Sequence, residues 1–493
     1  MGDRNRTESS PLLGNATDNG AARVDEPNKQ SGADATRAQF LRVVIPGSLI
    51  VACFGFAAQF LSIGLSEMME GSICQREYGN VTSPYTDPRC KNEAVQTRLA
   101  TVKGWEQTFS LLPGLLLAVP YGMVSDRYGP KFVLCLIWIG DILSQIGESA
   151  VCLYPNVFHM AWIYPFSMLS AIGGGAIGYA AMSYLVAGSI TSVENRSTMF
   201  FYMNAIMIAA SFASGPAGYF AMEISPVFTM ALGIGGLAIQ LLLTLFLPSK
   251  LPGHTAPNNI DVESGRTEGV VRHAMNTLKQ VALMFRALFW EDLHVALLFC
   301  SIMLTTLGGW EAIIRLQYAT KRYDWSWGEA GLLASVKAVA NFAGVALILP
   351  AISQFLLKKG SFSAVRKDMW LLRISIVAQV FGSVLSAVAP TGKAFVAAVS
   401  IFELSKGYLP AALSVVATLV DDKHQSLVYV TSSIMQALGS IVAGPLLAET
   451  FNLGLKWGRA WYGLPFAFAG LLQLVAAVIV FASRQRKRNE SHA

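Results

Sequence analysis

Apolar segments long enough to cross a bilayer recur along the whole chain. About 20 apolar residues in an α-helix cover the ~30 Å of hydrocarbon, at 1.5 Å per residue. The pattern therefore predicts an all-α membrane protein with twelve transmembrane helices, which we call spans one to twelve. Their approximate limits are 41–65, 105–124, 132–152, 160–188, 198–221, 226–247, 293–314, 329–350, 370–389, 394–418, 426–448 and 462–482.

The longest internal polar segment divides these spans into two groups of six. It covers residues 248–292 and separates an N-terminal six-helix half, 39–247, from a C-terminal half, 293–483. Residues 1–38 have too few apolar side chains to order themselves and are predicted to be a disordered cytoplasmic tail. The second part of the 248–292 segment has helical spacing, which fits either a helix on the anionic inner leaflet or a plain linker helix.

The positions of Lys and Arg predict the orientation of the spans, because basic residues are retained on the cytoplasmic side. The loops after spans two, four, six and eight and the basic tail 484–493 all carry them. Both termini are therefore expected in the cytoplasm. The formal charge of +6 needs no nucleic-acid partner to explain it, and charged residues are only 14% of the chain against 53% hydrophobic. A soluble domain is about a quarter charged, so lipid is the expected surrounding.

The first exterior loop, predicted at 66–104, carries features of an oxidising compartment. It contains Cys74 and Cys90, whose pairing would restrict the unfolded chain, and the glycosylation sequon at Asn80. The other four cysteines fall in or beside spans without metal-ligand spacing, so we expect no metal and no cofactor.

The N-terminal tail contains one candidate targeting signal. Glu8 followed by Leu12 and Leu13 resembles an acidic dileucine sorting signal of endosomal and vacuolar proteins. The pattern is short and common, so both the plasma membrane and the vacuolar membrane remain open as locations.

The loop after span two reads GMVSDRYGPK, a tight turn with glycines and paired charges. It resembles the loop between the second and third helices of the major facilitator superfamily, and its position and the six-plus-six pattern match as well. The resemblance implies that Asp126 is part of a cytoplasmic latch and that Arg196, after span four, pairs with it. Alternatively these charges only set the topology. The loop residues concerned are Gly122, Asp126, Arg127, Gly129 and Lys131.

Further segments, from LQYATKRYDWSWGEAGLL to RKDMWLLRISIVAQVF, are similar to a fungal group of major facilitators that includes carriers encoded beside secondary-metabolite genes. A fainter likeness is to the proton-coupled folate transporter. Residues 211–218 of span five look like a degraded antiporter motif, although small residues there also suit helix packing. Span four has no Lys or Arg and so lacks the antiport arginine of the superfamily.

Ionisable residues within spans are costly in lipid and tend to mark transport pathways. Asp141 ranks first for proton coupling, because nothing nearby in sequence pairs with it, and Glu148 lies two turns along the same face. Glu403 and Lys406 are three residues apart and can instead neutralise each other. The candidates for transport or coupling are Asp141, Glu148, Lys337, Glu403 and Lys406.

These features together favour a secondary transporter of a small organic compound. We expect a monomer in the lipid bilayer that uses protons for export or vacuolar sequestration. Proton-coupled uptake of an organic nutrient is the alternative. A non-transporting receptor or a membrane enzyme has less support, because no catalytic histidine pair or Gly-rich phosphate loop is present and no catalytic residue is expected.

Overall fold

The computed structural model describes residues 29–79, 81, 83–85, 87–189, 196–248, 293–358, 364–419 and 425–482. All the regular elements in these ranges are helical. Twelve spans are long and apolar enough to cross a membrane when the bent helix Glu93–Tyr128 is counted as one. In chain order they are Val43–Tyr78, Glu93–Tyr128, Pro130–Leu153, Met160–Gly188, Met199–Ile224, Pro226–Phe246, His294–Arg322, Trp327–Leu357, Arg366–Val388, Gly392–Val416, Thr431–Trp457 and Arg459–Ala482.

The predicted twelve-span pattern is confirmed, and helices satisfy their own backbone hydrogen bonds as lipid requires. Span one continues to Tyr78 and span two begins at Glu93, so the first loop shrinks from the predicted 66–104 to 79–92. Hydropathy ended span one too early and began span two too late, because the added turns carry charged side chains. Those side chains are held by partners inside the protein, as described below.

Several spans are interrupted. Span two bends by 58° between Leu117 and Pro120, where the proline ring removes a backbone donor. Span four consists of Ile163–Ser167, a 3₁₀ turn Met168–Ala171 and Gly175–Ser189. Span ten has a matching order, Gly392–Glu403, the 3₁₀ turn Leu404–Gly407 and Tyr408–Leu419.

Glycine is required at the break in span four. Gly173, Gly174 and Gly175 have φ values of 89°, 95° and 56°, in the left-handed region that other residues avoid. A Cβ on Gly173 would also lie 2.3 Å from the backbone nitrogen of Ile137 in span three. The glycines therefore let span four pack closely against span three.

The two halves meet through close helix contacts. Span two packs against span eleven, and a Cβ on Gly444 would lie only 2.2 Å from the carbonyl oxygen of Gly104. Span five packs against span eight, where a Cβ on Gly215 would lie 2.2 Å from Ser335 Oγ. The small residues of 211–218 thus allow two halves to approach, which supports packing over a motif of transport chemistry.

We call the end of the bundle that contains the 79–92 loop the disulfide end, and the end that contains Gly129 the opposite end. Cross-half hydrogen bonds of the described residues run from the disulfide end to the middle of the spans. They include Thr108 Oγ1 to the Ile441 carbonyl, 2.7 Å, and Ser335 Oγ to the Phe212 carbonyl. The halves are therefore joined at the disulfide end.

Candidate functional site

A cavity of about 230 Å³ lies between the halves in the middle of the bundle. Its wall from the second half is apolar and comes from span seven. Its wall from the first half carries the polar groups. The lining residues are Ala58, Leu61, Ser62, Leu65, Ser66, Met69, Lys103, Glu106, Gln107, Gln145, Ala312, Ile313 and Leu316.

Lys103 lies where the cavity meets the disulfide end. Its Nζ donates a hydrogen bond of 2.7 Å to Ser66 Oγ. It also lies 5.4 Å from the ring centre of Trp327, a cation–π distance. Trp327 belongs to span eight, so Lys103 connects the cavity wall to the second half.

Glu106 follows one turn after Lys103 and also lines the cavity. Among the described residues its carboxylate has no hydrogen-bond partner, and its charge interacts with Lys103 and with Glu148. A carboxylate with free acceptor positions in a cavity can bind a proton or a donor group of a solute. Sequence reasoning missed Lys103 because the prediction placed it in the loop 66–104, and it missed Glu106 because that residue stood at the predicted start of span two, near 105, and not deep within it.

Glu148, predicted from the sequence, lies behind the cavity wall. It is 1% exposed and accepts hydrogen bonds from Ser144 Oγ at 3.2 Å, Gln145 Nε2 at 3.0 Å and Ser167 Oγ at 2.8 Å. Gln145 itself lines the cavity, and its Oε1 is buried without a partner among the described residues. One amide side chain therefore separates Glu148 from the cavity.

Asp141, ranked first from the sequence, is half-buried in span three. It is two turns from Glu148 on a similar face, as predicted, but it is not among the residues that line the central cavity. No hydrogen bond or ion pair involves it among the described residues. Its role in coupling stays a prediction.

The second half contains a buried charge network. Arg315 is 2% exposed and pairs with Glu311 at 3.0 Å and with Glu403 at 3.2 Å. Ser383 Oγ donates to Glu311 Oε2 at 3.1 Å. Two carboxylates thus share one guanidinium, in agreement with the rule that buried charges are paired.

Lys406 is a weaker partner of Glu403 than their spacing in the sequence suggested. Its Nζ lies 3.6 Å from Glu403, and its side chain is 43% exposed, so Arg315 rather than Lys406 is the nearer cation. Lys337 is close enough to interact electrostatically with Arg315 and Glu403. Arg315 and Glu311 escaped the sequence reasoning, although their spacing of four residues on a span could have indicated a pair.

At the disulfide end, Glu70 accepts hydrogen bonds from both halves. Lys91 Nζ donates to both carboxylate oxygens at 2.9 and 2.8 Å, and Gln96 Nε2 donates to one of them. From the second half, Trp327 Nε1 donates at 2.7 Å. The loop that carries Lys91 is fixed by a disulfide between Cys74 and Cys90, with Cα atoms 5.1 Å apart.

Elsewhere in this loop, Arg89 donates hydrogen bonds to Asp87 and lowers the pKa of that carboxyl group. Asn80, the predicted glycosylation site, lies outside the described residues, as do Glu8, Leu12 and Leu13.

The GMVSDRYGPK turn lies within the first half. Gly129, at φ 88°, separates spans two and three. Lys131 Nζ donates to the carbonyls of Leu245 and Leu247, both at 2.7 Å, at the end of span six. Arg127 lies over the Tyr128 ring, and Asp126 is exposed. Gly122 has open space around it. The side chain of Arg196 lies outside the described part, so its pairing with Asp126 stays a prediction.

Groups of His, Cys, Asp and Glu able to hold a metal ion are absent from the described part of the chain.

No protein-family model matches the chain. It is 27% identical over 440 residues to the MFS efflux pump atnC of Emericella nidulans, covering 85% of each chain. It is also 27% identical over 459 residues to the efflux pump ustT of Aspergillus flavus, covering 90% of this chain and 89% of that pump.

Among solved structures, the D-xylose-proton symporter superposes with a TM-score of 0.59 at 14% identity, covering 90% of this chain and 97% of the symporter. The chain has the major facilitator fold. With relatives named as efflux pumps along most of its length, it is a multi-pass membrane transporter, and the predicted likeness to fungal carriers is confirmed.

Proposed function

We propose that this transporter exports a small organic compound by exchanging it for protons through alternating access. The cavity between the halves carries the proposal, because its first-half wall holds a carboxylate and an amide oxygen with free acceptor positions. These belong to Glu106 and Gln145. In carriers of this architecture, solute sites near the midplane are formed between the two halves.

Proton exchange follows from the position of Glu106. A carboxylate that holds a proton cannot also accept a charge-assisted hydrogen bond from the solute, so the two compete for one group. Release of the solute on protonation would then couple the two fluxes. Only the Gln145 amide separates Glu148 from the cavity, so Glu148 is the second candidate for a proton path.

The proposed direction of transport rests on the predicted orientation and on the relatives. The basic loops support an orientation with the disulfide end outside the cytoplasm. The cross-half hydrogen bonds would then close the exterior end. The names of the two efflux pumps support export. Whether the protein resides in the plasma membrane or the vacuolar membrane depends on the proposed signal at Glu8, Leu12 and Leu13.

The test is flux through purified protein in proteoliposomes with an imposed proton gradient. Rhodamine 6G serves as a cationic probe and fluorescein as an anionic probe, followed by fluorescence together with an internal pH dye. We expect at least one probe to move against the proton flux and to stop when a protonophore collapses the gradient.

Movement of a probe in the same direction as protons would instead establish proton-coupled uptake. A flux that is unaffected by the protonophore would refute proton coupling. Chemical conversion of a probe without its movement would refute transport itself.

A further inference from the structure

Glu70 is the point where the halves are held together at the disulfide end. Its side chain is 4% exposed, and it accepts from Lys91 and Gln96 of its own half and from Trp327 of the other. Hydrogen bonds to an ionised group are stronger than neutral ones. Truncation of a partner would leave a buried charge underpaired, which is costly.

Three further cross-half hydrogen bonds, from two side chains of span seven, end on the same short segment. Gln317 Nε2 donates to the backbone carbonyl of Gln96 at 2.7 Å and to its side-chain Oε1 at 3.0 Å. Lys321 Nζ donates to the backbone carbonyl of Lys91. Span seven therefore contacts residues 91–96 of the first half.

The disulfide determines where this segment lies. Cys74 is one turn after Glu70 on span one, and Cys90 directly precedes Lys91. Gln96 Nε2 also donates to the Cys90 carbonyl at 3.0 Å. Without the covalent link, residues 79–92 would be a free connection, and ordering them against Glu70 would cost conformational entropy.

The disulfide itself is sealed. Cys74 is 0% and Cys90 3% exposed, packed among Val95, Leu99 and other apolar side chains. A buried structural disulfide is not open to exchange with thiols. It therefore acts as a permanent tether of the segment and does not open and close during transport.

We propose that Glu70, positioned by the Cys74–Cys90 tether, is the central residue of a gate that closes the disulfide end. When the gate opens, Trp327 and Lys321 leave with the second half, while Lys91 and Gln96 stay with Glu70. The buried carboxylate keeps a cation in both states, so opening breaks only the cross-half bonds. Glu70 is thus a positioning residue for the transport cycle and has no direct role in holding the solute.

The experiment measures access to the central cavity from each side of the membrane. Cys53, Cys135, Cys152 and Cys300 are replaced by Ala, so that the tether stays, and Gln107→Cys supplies a reporter in the cavity lining. A membrane-impermeant maleimide is applied to intact cells and, separately, to inverted vesicles. No transported solute is needed, so the result is independent of the proposed export.

We expect Trp327→Phe and Glu70→Gln to increase labelling from the disulfide end by about 10-fold, the population shift for the loss of one hydrogen bond to a charged group. The paired change Cys74→Ser with Cys90→Ser should increase it as well. Labelling from the opposite end should fall. Asp87→Asn, on the same loop and paired with Arg89, is the control and should leave both rates unchanged.

Trp327→Phe removes the indole donor and keeps a smaller aromatic ring at this position, so it tests the gate even if loss of the disulfide prevents folding. Unchanged labelling from both ends in Trp327→Phe and Glu70→Gln, at normal expression, would overturn the proposal. So would a Cys74→Ser/Cys90→Ser protein that is well folded and labels like the parent. An increase seen only in inverted vesicles would keep the gate and reverse the assigned orientation.

Discussion

Arg315 of span seven and Glu403 of span ten form a buried ion pair of 3.2 Å inside the second half. Arg315 also pairs with Glu311, and its guanidinium lies 5.5 Å from the ring centre of Phe402. Because one cation serves two buried carboxylates, its removal leaves both without their nearest partner. The pair therefore has a structural role in the helix bundle, apart from any role in coupling.

Arg315→Met is expected to destabilise the protein by about 3–5 kcal/mol, the usual cost of removing one partner of a buried pair. Thermal unfolding of the purified protein in detergent measures the effect. Lys406→Met is the matched control, because Lys406 is 43% exposed and 3.6 Å from Glu403. A similar loss in both variants would show that Lys406 carries as much of the network as Arg315.

Glu106→Gln should uncouple transport from protons, because the amide has nearly the same shape and cannot take up a proton. In proteoliposomes we expect probe flux that no longer responds to an imposed proton gradient, with equilibrative exchange retained. Gln107→Ala, one residue along the same cavity wall, is the control and should stay gradient-dependent.

Asp141→Asn tests the coupling residue that the sequence ranked first. With Asp141 outside the cavity lining, we expect its loss to affect gradient dependence less than the loss of Glu106. Complete uncoupling in Asp141→Asn with normal coupling in Glu106→Gln would return the coupling role to Asp141.

Gly444→Ala should impair closure of the disulfide end, since its Cβ would lie 2.2 Å from the Gly104 carbonyl oxygen, a backbone atom that cannot rotate away. We expect normal expression, slower transport by at least several-fold, and more labelling of the cavity from that end. Gly235→Ala in span six has open space for a Cβ and is the control. Normal transport by Gly444→Ala would mean that the two helices separate at little cost.

The twelve spans and their division into halves were predictable, because lipid imposes a long apolar pattern on each helix. The cavity was not predictable from this apolar pattern, because charged side chains line it. Lys103 lies on a helical turn whose hydropathy resembles a loop, and Glu106 lies at the predicted start of span two. Only the fold shows that the protein encloses both side chains. The pairing of Arg315 with Glu403 joins residues 88 positions apart, which spacing along one helix cannot indicate. The short spacing along one helix instead suggested Lys406 as the partner of Glu403.

Lys103→Met tests whether the cavity distinguishes solutes by charge. Lys103 and Glu106 are the charged residues in the described cavity lining, so removal of the ammonium leaves a net negative wall. We expect KM for rhodamine 6G to fall several-fold and fluorescein flux to decrease, whereas Lys103→Arg should resemble the parent protein. Ser66→Ala removes the hydrogen-bond partner of Lys103 but keeps the charge, and it should leave the relative rates of the two dyes unchanged. If both dyes change in the same direction in Lys103→Met, Lys103 acts through Trp327 on the gate and not on the solute.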